Sequence, residues 1–248
     1  MSEGLEAPLT HHEAFIYRHS QRFECGVRGK QQIFLIEIFV LSGGNAYLCP
    51  KKAAMNYLEE KIMRDGVILP GNVLKVDSFL NHQVDIDAMR FMAQELQRRF
   101  EGVKITKILT IEASGIAIAT MLAHYLHVPF VFAKKCLTIN SIDDKYVSHA
   151  FSFTENRRHS VYVSKPYLSP ADHVLVVDDF LAESEATHAL IDIVRQAGAT
   201  LAGIGIAIEK GYQKGGRLLR DEGYHVESIA IIKEMDVKTQ TIRFIDQG

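Results

Sequence analysis

The 248-residue chain is poor in the features that would assign it to several large functional classes. Cysteine is scarce. Cys25, Cys49 and Cys136 are odd in number, far apart and never in a CxxC pair. This excludes a disulfide framework and a zinc pattern, and it fits reduced thiols in a cytoplasmic protein. Charge of either sign is not in excess: the formal net charge is −2, which gives no electrostatic reason to expect a nucleic-acid partner. Long apolar runs are also missing. The longest, Ile33 to Leu41, is interrupted by Glu37 and falls well short of the ~20 residues a spanning helix needs. It lies late for a signal peptide, with charges of both signs before it, so a short β segment is expected there and no membrane partner. Internal repeats and low-complexity segments are absent.

What is present describes a soluble globular protein. Hydrophobic residues make up 47% of the chain and charged residues 23%, enough to build a core without disulfides or metal. Residues 1–54 differ from the rest. They hold six Lys/Arg and five Asp/Glu, so they are nearly neutral, with scattered histidines and weak periodicity. An N-terminal extension is expected here, either poorly ordered or a mis-assigned leader ahead of Met55. The pair His11-His12 has no partner at metal-ligand spacing and reads as part of a solvated tail. No helix-turn-helix is visible.

From Met55 the pattern sharpens into one domain, 55–248. MNYLEEKIMRDG predicts an amphipathic helix with Leu58, Ile62 and Met63 on one face, stopping at Gly66. Residues 67–85 read as a hairpin or looped stretch. Ile86 to Phe100 is helical, with Met89, Met92, Ala93, Leu96 and Phe100 in register as core residues. A βα alternation follows: a strand at 104–111, the tight loop Glu112 to Gly115, a helix from Ile116 to Leu126, and a strand from Val128 to Ala133. Lys134 to Ser148 is polar and reads as a mobile loop. Two β segments flank the turn at 154–158. A strand over Leu201 to Glu209, a glycine-rich loop over Gly211 to Gly216, a short helix from Arg217 to Glu222 and closing strands complete the chain. Strands alternating with helices indicate an α/β fold with a parallel sheet covered on both faces.

The stretch His173 to Ala199 holds the chemistry. An apolar run, Val174 to Val177, stops at Asp178 and Asp179. After a short turn, Ala186, Ala189, Leu190, Ile193, Val194 and Ala197 fall at helical spacing, and Gly198 sits where a helix ends. In an open parallel sheet this places two carboxylates at the carboxyl end of a strand, beside a helix N-terminus. Ligands bind at such strand ends and phosphates at such helix starts. Adjacent carboxylates suit the hydroxyls of a phosphorylated sugar; a solvated strand end is the plainer alternative.

VLVVDDFLAESEAT resembles the diphosphate-sugar motif of type I phosphoribosyltransferases. With VLKVDSFLNHQVD (73–85), TKILTIEASGIA (106–117), VFAKK (131–135), AGIGIAIEK (202–210) and GYHVESIAII (223–232), the chain is similar from about Met55 onward to the bacterial xanthine-specific branch of that family. The resemblance implies the type I phosphoribosyltransferase fold: a doubly wound, mainly parallel sheet with a small hood over the base site. It implies purine salvage, in which phosphoribosyl diphosphate and xanthine give xanthosine 5′-monophosphate and pyrophosphate. Mg2+ accompanies the diphosphate without a dedicated protein site, and a cytoplasmic homodimer is expected. By the same resemblance Asp178 and Asp179 accept ribose hydroxyls or hold the metal indirectly. Ala182, Glu183, Ser184, Glu185 and Ala186 cradle the 5′-phosphate, Ser114 and Gly115 meet pyrophosphate, and Leu74, Asn81 and Lys210 bind xanthine. A lysine opposite a carbonyl favours 6-oxopurines over adenine, whose amino group would leave Lys210 without an acceptor. Lys134 and Lys135 stand where they could reach pyrophosphate.

The resemblance breaks in the phosphate loop. Relatives ordinarily read Ala-Asn-Gly-Gln-Ala where this chain has residues 182–186 as AESEA. A side chain at the glycine position restricts φ, and two carboxylates satisfy the helix dipole themselves while repelling a phosphate. One such contact at 4 Å costs about 4 kcal/mol at an effective dielectric of ~20. Ile118 stands for a usual proline, and Cys136 and Leu137 for a usual His-Lys pair. An impaired homologue that binds purine or nucleotide is therefore the alternative.

Overall fold

A computed structural model describes residues 17–27, 30–40, 46–48, 55–136, 144–152 and 157–247. The chain divides into two compact units, Met1–Ala54 and Met55–Gly248. In the first, β1 (Tyr17–Val27), β2 (Lys30–Val40) and β3 (Ala46–Leu48) form an antiparallel sheet in the order β1-β2-β3. The β segment expected near Ile33 is β2. Its partner β1 carries no clear alternation and is not evident from sequence. His11-His12 lies outside the described residues.

The second unit opens with α1 (Tyr57–Asp65), fixed by a capping box in which Asn56 accepts from the Glu59 N–H at 3.0 Å and donates its own N–H to Glu59 at 2.9 Å. Leu58 and Ile62 are buried, but Met63, expected on the same face, is exposed. Lys61 is buried instead, pairing with Asp65 and Asp85 at 3.1 and 2.7 Å. The hairpin β4 (Val67–Leu69) and β5 (Val73–Lys75) turns at Gly71 and Asn72, whose φ values of 82° and 59° suit Gly and Asn. A π-helical turn, Asp77–Asn81, leads to α2 (Ile86–Arg99), capped by Asp85. All five residues expected on its apolar face are buried.

The remaining strands build one eight-stranded sheet. They are β6 (Lys107–Ile111), β7 (Phe130–Cys136), β8 (Lys145–Ser152), β9 (Arg157–Ser164), β10 (His173–Leu181), β11 (Thr200–Lys210), β12 (Val226–Asp236) and β13 (Thr241–Phe244), in the order β13-β12-β11-β10-β6-β7-β9-β8. The five central strands are parallel and the edges antiparallel. The crossovers are α3 (Gly115–Leu126) between β6 and β7, α4 (Glu185–Gln196) between β10 and β11, and the short α5 (Gly215–Asp221) between β11 and β12. Side chains on β10 alternate between two cores. Leu175 and Val177 face the cluster built with α1, α2 and α3, whereas Val174 and Val176 face the cluster built with α4. The sheet is thus covered on both faces, as expected for a doubly wound fold. Part of the expected polar loop, Lys134 to Ser148, belongs to β7 and β8; residues 137–143 lie outside the description, as do 153–156, which include the first three residues of the expected turn at 154–158. Among the described residues no helix is long and apolar enough to cross a membrane.

Candidate active site

The parallel strands end on one side of the sheet, and the helices that follow begin there. Two kinds of helix start differ in a way that locates a site. Away from the strand ends, α1 and α2 are capped: Asn56 serves the first, and Asp85 accepts from Asp87 and Ala88 at 3.0 and 3.1 Å in the second. At the ends of β6 and β10, α3 and α4 carry no side-chain cap. In α3 the Ile116 N–H reaches the Ala113 carbonyl at 3.2 Å, but no side chain occupies either start, so each is suited to an anion.

Asp178 and Asp179 lie inside β10. The apolar run does not end the strand, because pairing with β11 continues to Leu181 opposite Glu209. Both aspartates are buried. Asp178 Oδ1 accepts the Asp179 N–H at 3.0 Å. Burial, reinforced by the neighbouring Asp179 carboxylate, pushes the Asp178 carboxyl well above the usual range; the Lys135 ammonium acts the other way without offsetting it. A buried carboxylate in this condition has use for hydroxyl donors or a cation. Among the described residues no three metal-ligating side chains cluster.

The loop Glu112 to Gly115 joins β6 to α3, and its Glu112–Ala113 peptide is cis. Glu112 accepts the Lys135 N–H at 2.7 Å, which ties the loop to β7. Ser114 is half-buried at the start of α3 and caps nothing. Gly115 packs against Thr110, and a Cβ there would lie 3.3 Å from Asp178 Oδ1. Glycine is therefore what lets α3 begin beside the aspartates. The Thr110 hydroxyl is buried beneath it with no hydrogen-bond partner among the described residues.

Residues 182–186 form the turn into α4. Ser184 adopts φ 68°, the left-handed conformation that favours glycine. Its hydroxyl turns back to the Glu183 carbonyl and away from the helix amides. Its own carbonyl accepts the His188 N–H at 2.8 Å and faces His188 Nδ1 at 3.0 Å. The expected repulsion from two carboxylates is reduced by where they point: Glu183 pairs with Lys214 at 3.2 Å, and Glu185 is exposed. Ala182 accepts the Gly215 N–H at 2.9 Å, and Ala186 is half-buried in the first turn.

Lys210 ends β11, and burial pushes its ammonium down. Its Nζ donates to the Asn72 carbonyl in the β4–β5 turn at 3.1 Å. A cation donating to a carbonyl oxygen is the contact expected with an oxopurine, and the hairpin makes it here. Leu74, two residues further on, is buried in the core. Asn81 is exposed, and its carboxamide makes no hydrogen bond among the described residues. The structure thus brings the hairpin to Lys210 without joining Asn81 to it. Lys134 and Lys135 are exposed on β7. Asn72, His188 and Lys214 escaped the sequence; only the glycine-rich run from 211 to 216 hinted at the last.

Comparison with known proteins agrees with this geometry. The profile of the phosphoribosyl transferase domain matches residues 75–244. A xanthine phosphoribosyltransferase of Bifidobacterium adolescentis is 52% identical over 191 residues, 77% of this chain and 99% of that protein. Xanthine phosphoribosyltransferase 2 of Clostridium botulinum is 52% identical over 183 residues, 73% of this chain and 96% of that protein. Among solved structures, the adenine phosphoribosyltransferase of Giardia lamblia with 9-deazaadenine superposes with a TM-score of 0.57 at 23% identity, covering 66% of this chain and 90% of that one. This likeness bears on fold alone.

Proposed function

The chain belongs to the phosphoribosyltransferase family, and from that premise we propose that it is a purine-salvage enzyme that transfers the 5-phosphoribosyl group of phosphoribosyl diphosphate to xanthine, yielding xanthosine 5′-monophosphate and pyrophosphate. The observation that carries the choice of base is identity of about half the residues to xanthine enzymes over nearly their full length. Lys210, already donating to a carbonyl, supports an oxopurine.

A purine nitrogen attacks the anomeric carbon as pyrophosphate leaves, through an oxocarbenium-like transition state. Catalysis is then chiefly positioning and charge stabilisation. The uncapped amides of α4, with residues 182–186, hold the 5′-phosphate. Ser114 and Gly115, at the uncapped start of α3, meet the pyrophosphate. Asp178 and Asp179 accept the ribose hydroxyls, and their negative charge favours the cationic sugar. Asp178 and Asp179 are the carboxylates that would hold, indirectly, a magnesium ion brought with the diphosphate, which would supply charge neutralisation for the leaving group. Lys210, Leu74 and Asn81 form the base subsite, which requires the hairpin carbonyl of Asn72 to give way to the purine. The impaired alternative finds no support in the loop, since Glu183 is paired and Glu185 is exposed. The proposal extends to a homodimer in the cytoplasm, which light scattering and fractionation test.

The deciding experiment supplies the full chain with phosphoribosyl diphosphate, magnesium and one of xanthine, guanine, hypoxanthine or adenine. Xanthosine 5′-monophosphate should form fastest and adenine should stay unreacted. Absence of product with every base would refute the assignment.

A further inference from the structure

The phosphate loop carries two carboxylates, and the cation facing one of them comes from a different crossover. Lys214 closes the turn between β11 and α5, and its Nζ lies 3.2 Å from Glu183 Oε2. Backbone contacts join the same two segments. Gly215, the next residue, donates its N–H to the Ala182 carbonyl at 2.9 Å, and a Cβ on it would stand 2.7 Å from the Ser184 nitrogen. The Lys214 backbone is therefore anchored one residue from the loop, which keeps residues 182–186 within reach of its ammonium. Among the described residues no other ion pair involves that loop.

We propose that Lys214 is a phosphate-binding residue, which leaves Glu183 to pair with the 5′-phosphate of phosphoribosyl diphosphate when that group reaches the uncapped start of α4. The proposal rests on the assignment of residues 182–186 to the 5′-phosphate. The Lys214 side chain is 63% exposed, so its pair with Glu183 is screened and weak, and it exchanges readily. A phosphate dianion offers more charge and three strong acceptor oxygens, held in place by amides and the helix dipole. The ammonium gains by the exchange, and Glu183, with its side chain 27% exposed, turns to water. The same lysine thus neutralises the loop when it is empty and adds a cation when it is filled. This accounts for a phosphate loop that tolerates a glutamate.

The test compares the full-length wild type with Lys214→Met, Glu183→Gln and the double variant. Ribose 5-phosphate and pyrophosphate are the probes, each measured as an inhibitor competing with phosphoribosyl diphosphate. Lys214→Met should weaken ribose 5-phosphate about tenfold, the scale of a lost charge-assisted hydrogen bond, and leave pyrophosphate inhibition unchanged. Glu183→Gln should tighten ribose 5-phosphate, and the double variant should remain weaker than Glu183→Gln alone. If Lys214 served only to cancel Glu183, the double variant would bind ribose 5-phosphate like Glu183→Gln alone, and that result would overturn the proposal. So would Lys214→Met binding both probes like the wild type, or losing both equally. A wild type that neither turns over xanthine nor binds ribose 5-phosphate would remove the functional assignment and this inference together, an outcome distinct from an active wild type with indifferent variants.

Discussion

Two buried carboxylates stand near the carboxyl ends of neighbouring parallel strands, and they are treated in opposite ways. Glu209, next to last in β11, is gripped by Arg220 of α5 through two bonds of 2.8 Å and accepts the Ser228 hydroxyl from β12. Asp178, on β10, has the Asp179 amide and the pull of the Lys135 ammonium, and neither offsets its burial and the neighbouring Asp179 carboxylate. Both positions remove a charge from water, which costs several kcal/mol unless a partner offsets it. At Glu209 the fold provides the partner, so the carboxylate is scaffold, pinning α5 across the sheet. At Asp178 no such pair is made among the described residues, and the proposed function supplies the ligand as its partner. Burial alone therefore does not mark a functional carboxylate; burial without an internal counter-charge does.

The contrast fails most visibly if the two sites respond alike to neutralisation. Asp178→Asn and Asp179→Asn should each lower kcat/KM by about 10²–10³-fold, roughly 3–4 kcal/mol of transition-state stabilisation, with the protein still folded. Arg220→Met should do the reverse. Removing the cation strands the Glu209 charge, at a cost of about 2–3 kcal/mol after discounting for the partial exposure of Arg220. That lowers Tm by about 5–10 °C, whereas kcat/KM of the folded fraction should change by less than about tenfold. Turnover lost to Arg220→Met at unchanged Tm would erase the distinction.

A sharper version uses pH. Because folded Asp178 holds its proton above the ordinary carboxylate range, the folded state binds more protons than the unfolded chain between the two pKa values. Its contribution to stability is present below the unfolded value near 3.9 and is lost as pH rises through the folded value. Asp178→Asn keeps the oxygen that accepts the Asp179 amide and never ionises. It should therefore match the wild type in acid and exceed it by about 1–2 kcal/mol at neutral pH, seen as a Tm gain of about 2–6 °C. A variant less stable than the wild type at pH 7 would mean that Asp178 has an internal partner after all.

Much of this arrangement was legible in the sequence, and the parts that were not share a cause. The strand at residues 174–177, the buried face of α2 and the helix after the aspartates follow from a short apolar run and from the side-chain period of 3.6. The sequence also places Asp178 and Asp179 near the carboxyl end of that strand. Hidden from sequence were contacts made by the turns between elements. Glu209 meets Arg220 across the glycine-rich turn, Glu183 meets Lys214 from the next crossover, and Lys210 meets a backbone carbonyl of the hairpin. None of these has a local spacing. Met63 went astray for a related reason. On a helix of nine residues, the ion pairs of Lys61 with Asp65 and Asp85 decide which flank turns inward. The end of β10 was placed too early because paired carboxylates resemble a strand terminus, although the ladder with β11 runs on to Glu209.

Strain gives the smallest test of the same contrast. Ser184 holds φ 68° beside the site, whereas no non-glycine residue with positive φ occurs in β11 or α5 around Glu209. A side chain in the left-handed region costs about 1–2 kcal/mol. Replacing it by glycine removes that strain but adds freedom to the unfolded chain worth about 0.5–1 kcal/mol, and it gives up the hydroxyl's bond to the Glu183 carbonyl. Ser184→Gly should therefore stabilise by no more than about 1 kcal/mol, or about 2–4 °C in Tm, and leave ribose 5-phosphate affinity within about twofold, since the amides proposed to bind it are unchanged. Ser184→Val, β-branched in the same conformation, should lose about 1–2 kcal/mol. If both variants have the Tm of the wild type, the loop relaxes out of the left-handed conformation in solution. The phosphate end of β10 would then differ from the Glu209 end by its uncompensated charge alone.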